Sequence, residues 1–155
     1  MRETRRDFIR LTGIFGGLVA IGALSVEEAL AQQAAWNKAA FETKNVNDTV
    51  KALGGAGVTQ SADIVMNAPD IAENGAVVPI GVSSKIPNTQ AIYIMVDKNP
   101  NTLAAGFHIP AGTEANVTTR IKMGQTSNVH AVVKAGDKFY VATKEVKVTI
   151  GGCGG

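Results

Sequence analysis

Apolar residues recur at every second position along most of the chain from about Ile64 onward. Between residues 117 and 123, for instance, valine, threonine, isoleucine and methionine alternate with threonine, arginine and lysine. This two-residue period is typical of a strand with one buried and one exposed face. Turn-forming residues separate such segments at intervals of about 8–12 residues, the spacing of a β-sandwich. The pattern predicts an all-β fold of about seven strands, near residues 64, 77–82, 91–96, 103–109, 117–123, 129–133 and 139–150.

Two of these segments depart from simple alternation. Residues 91–96 are apolar at every position, as in a strand covered on both faces, or in a strand and its edge neighbour. Pro79 lacks the backbone N–H that a central strand donates, which favours an edge strand or a bulge over residues 77–82.

The last predicted strand changes phase along its length. Its apolar residues fall into two sets, Phe139 and Val141 in the first, then Val146, Val148 and Ile150 in the second. Because neighbouring side chains of a strand point to opposite faces, the change predicts a bulge or kink near Lys144-Glu145.

A helical lead-in precedes the strands. Residues 34–53 contain good helix formers, and Asn47 or Asp48 could cap a short second turn from Thr49 to Leu53. The glycine-rich segment 54–57 predicts the end of that turn. Trp36 and Phe41 are expected to be core or docking residues of the lead-in.

The first residues carry an export pattern. Adjacent Arg5 and Arg6 precede an apolar run over 11–24, which is typical of a twin-arginine signal. The run is shorter than the roughly 20 residues that span a bilayer, and Ala29-Leu30-Ala31 resembles a cleavage site. We therefore predict a signal over 1–31 and export of a folded chain to the periplasm; the alternative is an N-terminal membrane anchor. Residues 32–150 then form one β-sandwich domain with its lead-in.

Charge excludes some partners. The signal contains four basic and four acidic residues, so its removal leaves the net charge at +2. Both signs are scattered, with no basic stripe for nucleic acid and no second apolar segment for a membrane span.

The only cysteine, Cys153, lies near the end of the sequence between two glycine pairs, Gly151-Gly152 and Gly154-Gly155. Glycine has no Cβ, so residues 151–155 are expected to form a slender, flexible and exposed arm. The thiol extends roughly 10 Å beyond Ile150 at ~3.3–3.6 Å per residue, far enough to enter a narrow cleft of another protein. No basic residue neighbours Cys153, so a partner has to activate the thiol. We interpret the Cys153 thiol as a site for covalent attachment of a group that other proteins act on.

Two alternatives stay open for this arm. Cys153 could join a structural module to a partner through an interchain disulfide, since a lone cysteine cannot form an intrachain one. Alternatively, the terminal Gly154-Gly155 carboxylate could be activated as in ubiquitin-like carriers, although that chemistry needs ATP and the export signal argues against it.

Other candidate sites are weak. His108 and His130 fall on the polar phase of their strands and are expected to be exposed to solvent rather than to form a metal pair. The cysteine and histidines lack metal-ligand spacing, and no nucleophile–base pattern predicts a catalytic residue. Residues 54–57 lack the lysine of a phosphate-binding loop.

The chain resembles the SoxY family of the periplasmic thiosulfate-oxidising system. Residues 144–155, which end in Gly-Gly-Cys-Gly-Gly, look like the family's terminus and are its most specific motif. Three internal stretches are also similar, namely 69–79, 97–101, and 119–123 with 125–128. The similarity extends over essentially all of the chain after the signal.

The resemblance implies a function for Cys153. SoxY-like proteins have an immunoglobulin-like sandwich and pair with a second β-sandwich subunit, SoxZ, as a heterodimer. A haem c partner couples thiosulfate to the cysteine, a manganese-dependent partner releases sulfate, and a molybdenum–haem partner, where present, oxidises the remaining sulfur. The resemblance therefore implies a carrier with no intrinsic cofactor, which holds sulfur intermediates on Cys153 and is not itself an enzyme.

Overall fold

The computed structural model describes residues 37–149, so the predicted signal 1–31, Trp36 and the arm 151–155 lie outside the described residues. Within that range there are two helices and nine strands. The helices are α1 (Lys38–Phe41) and α2 (Val46–Ala52). The strands are β1 (Val58–Gln60), β2 (Ile64–Asn67), β3 (Ile71–Ala72), β4 (Val78–Ser84), β5 (Thr89–Val96), β6 (Leu103–His108), β7 (Asn116–Ile121), β8 (Ser127–Ala135) and β9 (Lys138–Val148).

These strands form two sheets. The larger has the order β1-β9-β8-β5-β6, with β3 also paired to β9, and the smaller has the order β2-β4-β7. The prediction of an all-β sandwich after a helical lead-in is confirmed. The number of strands exceeds about seven because β1 and β3 were missed, since three and two residues are too few to show a period.

Two hydrophobic cores cover the larger sheet, one on each face. Ile92, Ile94 and Val96 of β5 belong to the core between the two sheets. Tyr93 and Met95 point the other way, into a second core under the helices. The prediction that residues 91–96 are covered on both faces is confirmed, because a strand between two cores needs an apolar residue at every position.

The phase change of β9 has the same cause, and the predicted bulge near Lys144-Glu145 is wrong. The register between β8 and β9 is uninterrupted from Ala135↔Lys138 to Ser127↔Val146. Phe139 and Val141 pack under the helices, whereas Val146 and Val148 pack between the sheets. One strand with an unbroken register therefore buries opposite faces at its two ends.

The prediction for β4 is also wrong, because β4 is the middle strand of the smaller sheet and its register with β7 shows no shift. Pro79 is tolerated for a local reason. Strand β2 pairs only with Gly81–Ser84, so at Pro79 the strand has a paired neighbour on one side alone, where β7 presents Arg120. The missing N–H costs no bond to β2.

The lead-in consists of two short helices rather than one longer segment. Asn45, not Asn47 or Asp48, caps α2, because its side-chain oxygen accepts a hydrogen bond from the Asp48 N–H at 2.8 Å. The predicted stop in the glycines is confirmed by Gly54, whose φ of 88° lies in the left-handed region that ends helices. Phe41 is half-buried against the second core, as expected of a docking residue.

Candidate functional site at the end of strand β9

The candidate site is the place where the chain leaves the larger sheet. Strand β9 ends at Val148, and Cys153 follows five positions later. Cys153 and its glycines lie outside the described residues, so the structure describes the base of the arm, residues 147–149, and what surrounds it.

On one side, the base is held by β3. The two strands are parallel, with Ile71 opposite Lys147 and Ala72 opposite Val148. The Lys147 N–H donates to the Asp70 carbonyl oxygen at 2.9 Å, and the Thr149 N–H donates to the Ala72 carbonyl oxygen at 3.1 Å. These two bonds carry the pairing to the last residue that the structure describes.

On the other side, a side chain takes over where β8 ends. The last pair between β8 and β9 is Ser127 with Val146. One residue beyond it, the Thr126 hydroxyl oxygen accepts a hydrogen bond from the Val148 N–H at 3.0 Å. Thr126 thus replaces the backbone partner that the strand lacks at this point. We call Asp70, Ala72 and Thr126 the arm-base contacts.

A glycine lets a third segment approach the base. A Cβ at Gly75 would overlap the Met123 carbonyl oxygen and lie 2.9 Å from Cγ1 of Val148. The Met123 N–H donates to the Gly75 carbonyl oxygen at 2.7 Å, which holds these two backbones together. Only glycine fits between them without displacing its neighbours.

An ion pair lies next to the base. Nζ of Lys144 is 2.9 Å from Oδ1 of Asp70, and the same ammonium donates to the Ala68 carbonyl oxygen. The hydrogen bond from Lys144, followed by its charge and more weakly that of Lys147, lowers the pKa of Asp70 below its usual value. Because the Asp70 side chain is 88 % exposed, solvent screens the pair, which adds little to stability.

The histidines differ from the expectation in one respect. His108 is exposed, as expected. The side chain of His130 is only 14 % exposed, so the prediction that it faces solvent is wrong. Its Nε2 lies 2.9 Å from Oδ1 of Asp97, and its Nδ1 lies 2.8 Å from Oγ1 of Thr143. A polar position in a strand can be buried when neighbouring polar side chains satisfy it.

Residues 37–149 contain no metal-ligating side-chain cluster and no helix of membrane-spanning length and hydropathy. No group of three or more histidine, cysteine or acidic side chains in this range could hold a metal ion. Among the same residues, no helix is long and apolar enough to cross a membrane.

Sequence reasoning missed the arm-base contacts. Thr126 lies in the loop before β8, and Asp70 and Ala72 lie in or beside a two-residue strand, so periodicity could not identify them. The one signal that points to them is the resemblance, which rests partly on the stretches 69–79 and 125–128. These two stretches contain all three arm-base contacts.

A family model and a solved structure match this chain. The family model described as sulfur oxidation protein SoxY matches residues 50–153, which include Cys153. A search of curated proteins gave no match. Among solved structures, the chain is similar to the sulfur carrier protein SoxY from Chlorobium limicola f thiosulfatophilum, with 38% sequence identity and a TM-score of 0.59 over 66% of this chain and 96% of that one. The chain therefore belongs to the SoxY family.

Proposed function

We propose that this chain carries sulfur covalently on the Cys153 thiol during thiosulfate oxidation and presents the bound sulfur to successive partner enzymes. Membership of the SoxY family and the likeness to a sulfur carrier protein support a carrier role in sulfur oxidation. The observation that carries the finer proposal is the position of Cys153. It is the only thiol of the sequence, and it follows a strand end that is held from both sides.

The loading step is an oxidative coupling. An S–S bond forms between Sγ of Cys153 and the outer sulfur of thiosulfate. The thiol loses one proton, and two electrons pass to a haem c-containing partner enzyme. The product is an S-thiosulfonate on Cys153.

The unloading steps regenerate the thiol. Water attacks the sulfonate sulfur with the help of a manganese-dependent partner, the S–SO₃ bond breaks, sulfate and one proton leave, and a persulfide stays on Cys153. A molybdenum–haem partner, where present, adds three oxygen atoms from water to the outer sulfur and accepts six electrons, with release of seven protons. A second hydrolysis then releases sulfate and restores the thiol.

In this proposal the chain supplies position, and its partners supply the chemistry. Keeping the intermediates on one carrier replaces repeated bimolecular encounters of free sulfur species with delivery by a tethered group. The twin-arginine pattern at Arg5 and Arg6 supports export of the folded chain to the periplasm. There we propose that it pairs with a SoxZ-like β-sandwich subunit as a heterodimer.

The decisive experiment removes the thiol and then moves it. We expect Cys153→Ser to abolish both the thiosulfate adduct, measured by intact mass, and thiosulfate-dependent electron transfer in a reconstituted system. The matched control adds Asp137→Cys to Cys153→Ser, because Asp137 lies in the exposed turn before β9, at the opposite end of that strand. This control keeps one thiol per chain and is expected to stay inactive. Electron transfer by Cys153→Ser, or full activity of the relocated thiol, would rule out the proposal.

Two further measurements address the alternatives for the arm. Non-reducing electrophoresis of the working system separates a carrier from a module that is permanently joined to its partner by a Cys153 disulfide. Amidation of Gly155 abolishes function if the terminal carboxylate is the activated group. We expect a thiol that turns over and an amidated chain that remains active.

A further inference from the structure

We propose that Thr126 is a positioning residue for sulfur transfer, because its hydroxyl group fixes the point at which the arm leaves the sheet. This inference rests on the proposed role of Cys153 as the sulfur attachment site. It adds to that role a residue outside the arm that determines how the thiol is presented.

The first step is the position of Thr126 in the hydrogen-bond ladder. Val146 is fully buried and makes the last backbone pairing with β8. Beyond Val146, Thr126 takes over on the β8 side, where its hydroxyl accepts the bond from the Val148 N–H at 3.0 Å. Without that hydroxyl, the hydrogen bonds that hold residues 147–149 come from the β3 side.

The second step is that Thr126 itself comes from a tethered loop. The side-chain amide of Asn99 donates to the Lys122 carbonyl oxygen at 2.7 Å, and the Gly124 N–H donates to the Asn99 side-chain oxygen at 3.2 Å. The Met123 N–H is bonded to Gly75 in addition. Because these hydrogen bonds hold the loop, the Thr126 hydroxyl group has a fixed position and can in turn fix the position of the strand end.

The third step is the consequence for the thiol. While Thr149 is held, four residues, 150–153, separate the thiol from the sheet. If the bonds to β3 open as well, so that the base is released back to Val146, seven residues, 147–153, separate the thiol from the sheet. The effective concentration of a tethered group falls roughly as the −3/2 power of the tether length, so complete release costs about a twofold loss inside a partner's cleft, and partial release costs less.

The test compares Thr126→Val with Thr126→Ser, since valine removes the hydroxyl at similar volume and serine restores it. Thr118→Val is the matched control, because Thr118 is an exposed threonine on β7 of the other sheet. We expect amide exchange at Val148 to become about fivefold faster in Thr126→Val, as for the loss of one ordinary hydrogen bond. Exchange in Thr126→Ser and Thr118→Val is expected to match that of the wild type.

The functional readout is thiosulfate-dependent electron transfer with the carrier as the varied substrate. We expect kcat to fall by up to about twofold in Thr126→Val while KM stays unchanged, because the docked body is the same and only delivery of the thiol changes. Thr126→Ser is expected to restore kcat. The reaction of Cys153 with a small disulfide reagent should be equal in all variants, since that reaction needs no cleft.

Each outcome decides one point. Unchanged Val148 exchange in Thr126→Val overturns the role of the hydroxyl group, and faster exchange with unchanged kcat overturns the positioning role. A kcat loss that serine does not restore also counts against it. If the wild type gains no thiosulfate adduct on Cys153, the carrier proposal fails, and the positioning role fails with it whatever the exchange rates.

Discussion

Gly75 offers a sharp test of how tightly the base of the arm is packed. An alanine Cβ at this position would overlap the Met123 carbonyl oxygen and lie 2.9 Å from Cγ1 of Val148. The Met123 oxygen belongs to the backbone, and the Met123 N–H is bonded to the Gly75 oxygen at 2.7 Å. The two segments can therefore separate only by weakening that bond.

The size of the effect follows from these contacts. Overpacking of a filled site costs typically ~1–3 kcal/mol, and weakening the hydrogen bond adds up to about 1 kcal/mol. We expect Gly75→Ala to lower the free energy of unfolding by about 2–3 kcal/mol. At about 4 °C per kcal/mol for a domain of this size, Tm should fall by about 10 °C.

Thermal unfolding followed by circular dichroism measures this difference, and Gly124→Ala is the control. Gly124 directly follows Met123, no atom beyond its chain neighbours lies within 4 Å of a Cβ built on it, and it is not among the glycines with positive φ. Alanine there should be neutral or stabilising by about 0.4–1 kcal/mol through the unfolded state. If both variants have the same Tm as the wild type, the close packing at Gly75 does not exist in solution.

Two further predictions concern other parts of the chain. Because Lys144 lowers the pKa of Asp70, the folded state binds this proton less readily than the unfolded state, so the contribution of Asp70 is present above the ordinary carboxyl pKa and disappears as the pH falls through the lowered value. Acid titration of stability for wild type and Asp70→Asn should show two curves that converge at low pH, and a difference that persists there would contradict the ion pair as its cause. Asn45→Ala should reduce stability by about 1 kcal/mol through loss of the α2 cap, measured by urea unfolding, whereas Asn47→Ala, an exposed change inside the helix, should not; equal losses would show that the capping residue is misassigned.

Alternation along the sequence predicted those strands that bury one face along their whole length. In β7 the apolar set, which ends at Ile121, faces inward, while Thr118 and Arg120 are exposed, so sequence and structure agree residue by residue. Strand β5 was predictable for a related reason, since a short run that is apolar at every position, as over 91–96, is typical of a strand covered on both faces.

Strand β9 was misread because periodicity cannot tell which layer covers a residue. A change of phase within one strand has two physical causes, an inserted residue or a change of the covered face. Both causes give the same pattern of apolar and polar residues in the sequence. Only the position of α1 and α2 over the first half of the strand, where Phe139 and Val141 lie, selects the second cause.

The same distinction applies to the candidate site, where some features depend on neighbours in sequence and others on contacts between distant residues. The thiol and its glycines can be proposed from the sequence, because their chemistry depends only on neighbours in sequence, and they stay a prediction because they lie outside residues 37–149. The arm-base contacts could not be predicted, because they join β9 to residues more than twenty positions away, as between Thr126 and Val148 or between Ala72 and Thr149.

The internal stretches on which the family resemblance rests meet at this place in the fold. Asp70 and Ala72 come from the stretch 69–79, Thr126 from 125–128, and Asn99 of the stretch 97–101 ties down the loop that presents Thr126. These stretches are far apart in sequence, yet they surround the last described residues before Cys153. Under the proposed role of Cys153, a firmly held strand end keeps the tether of the thiol short and its effective concentration in a partner's cleft high. The proposed role therefore gives the three stretches one shared physical task, which is to hold the strand end from which the tether starts.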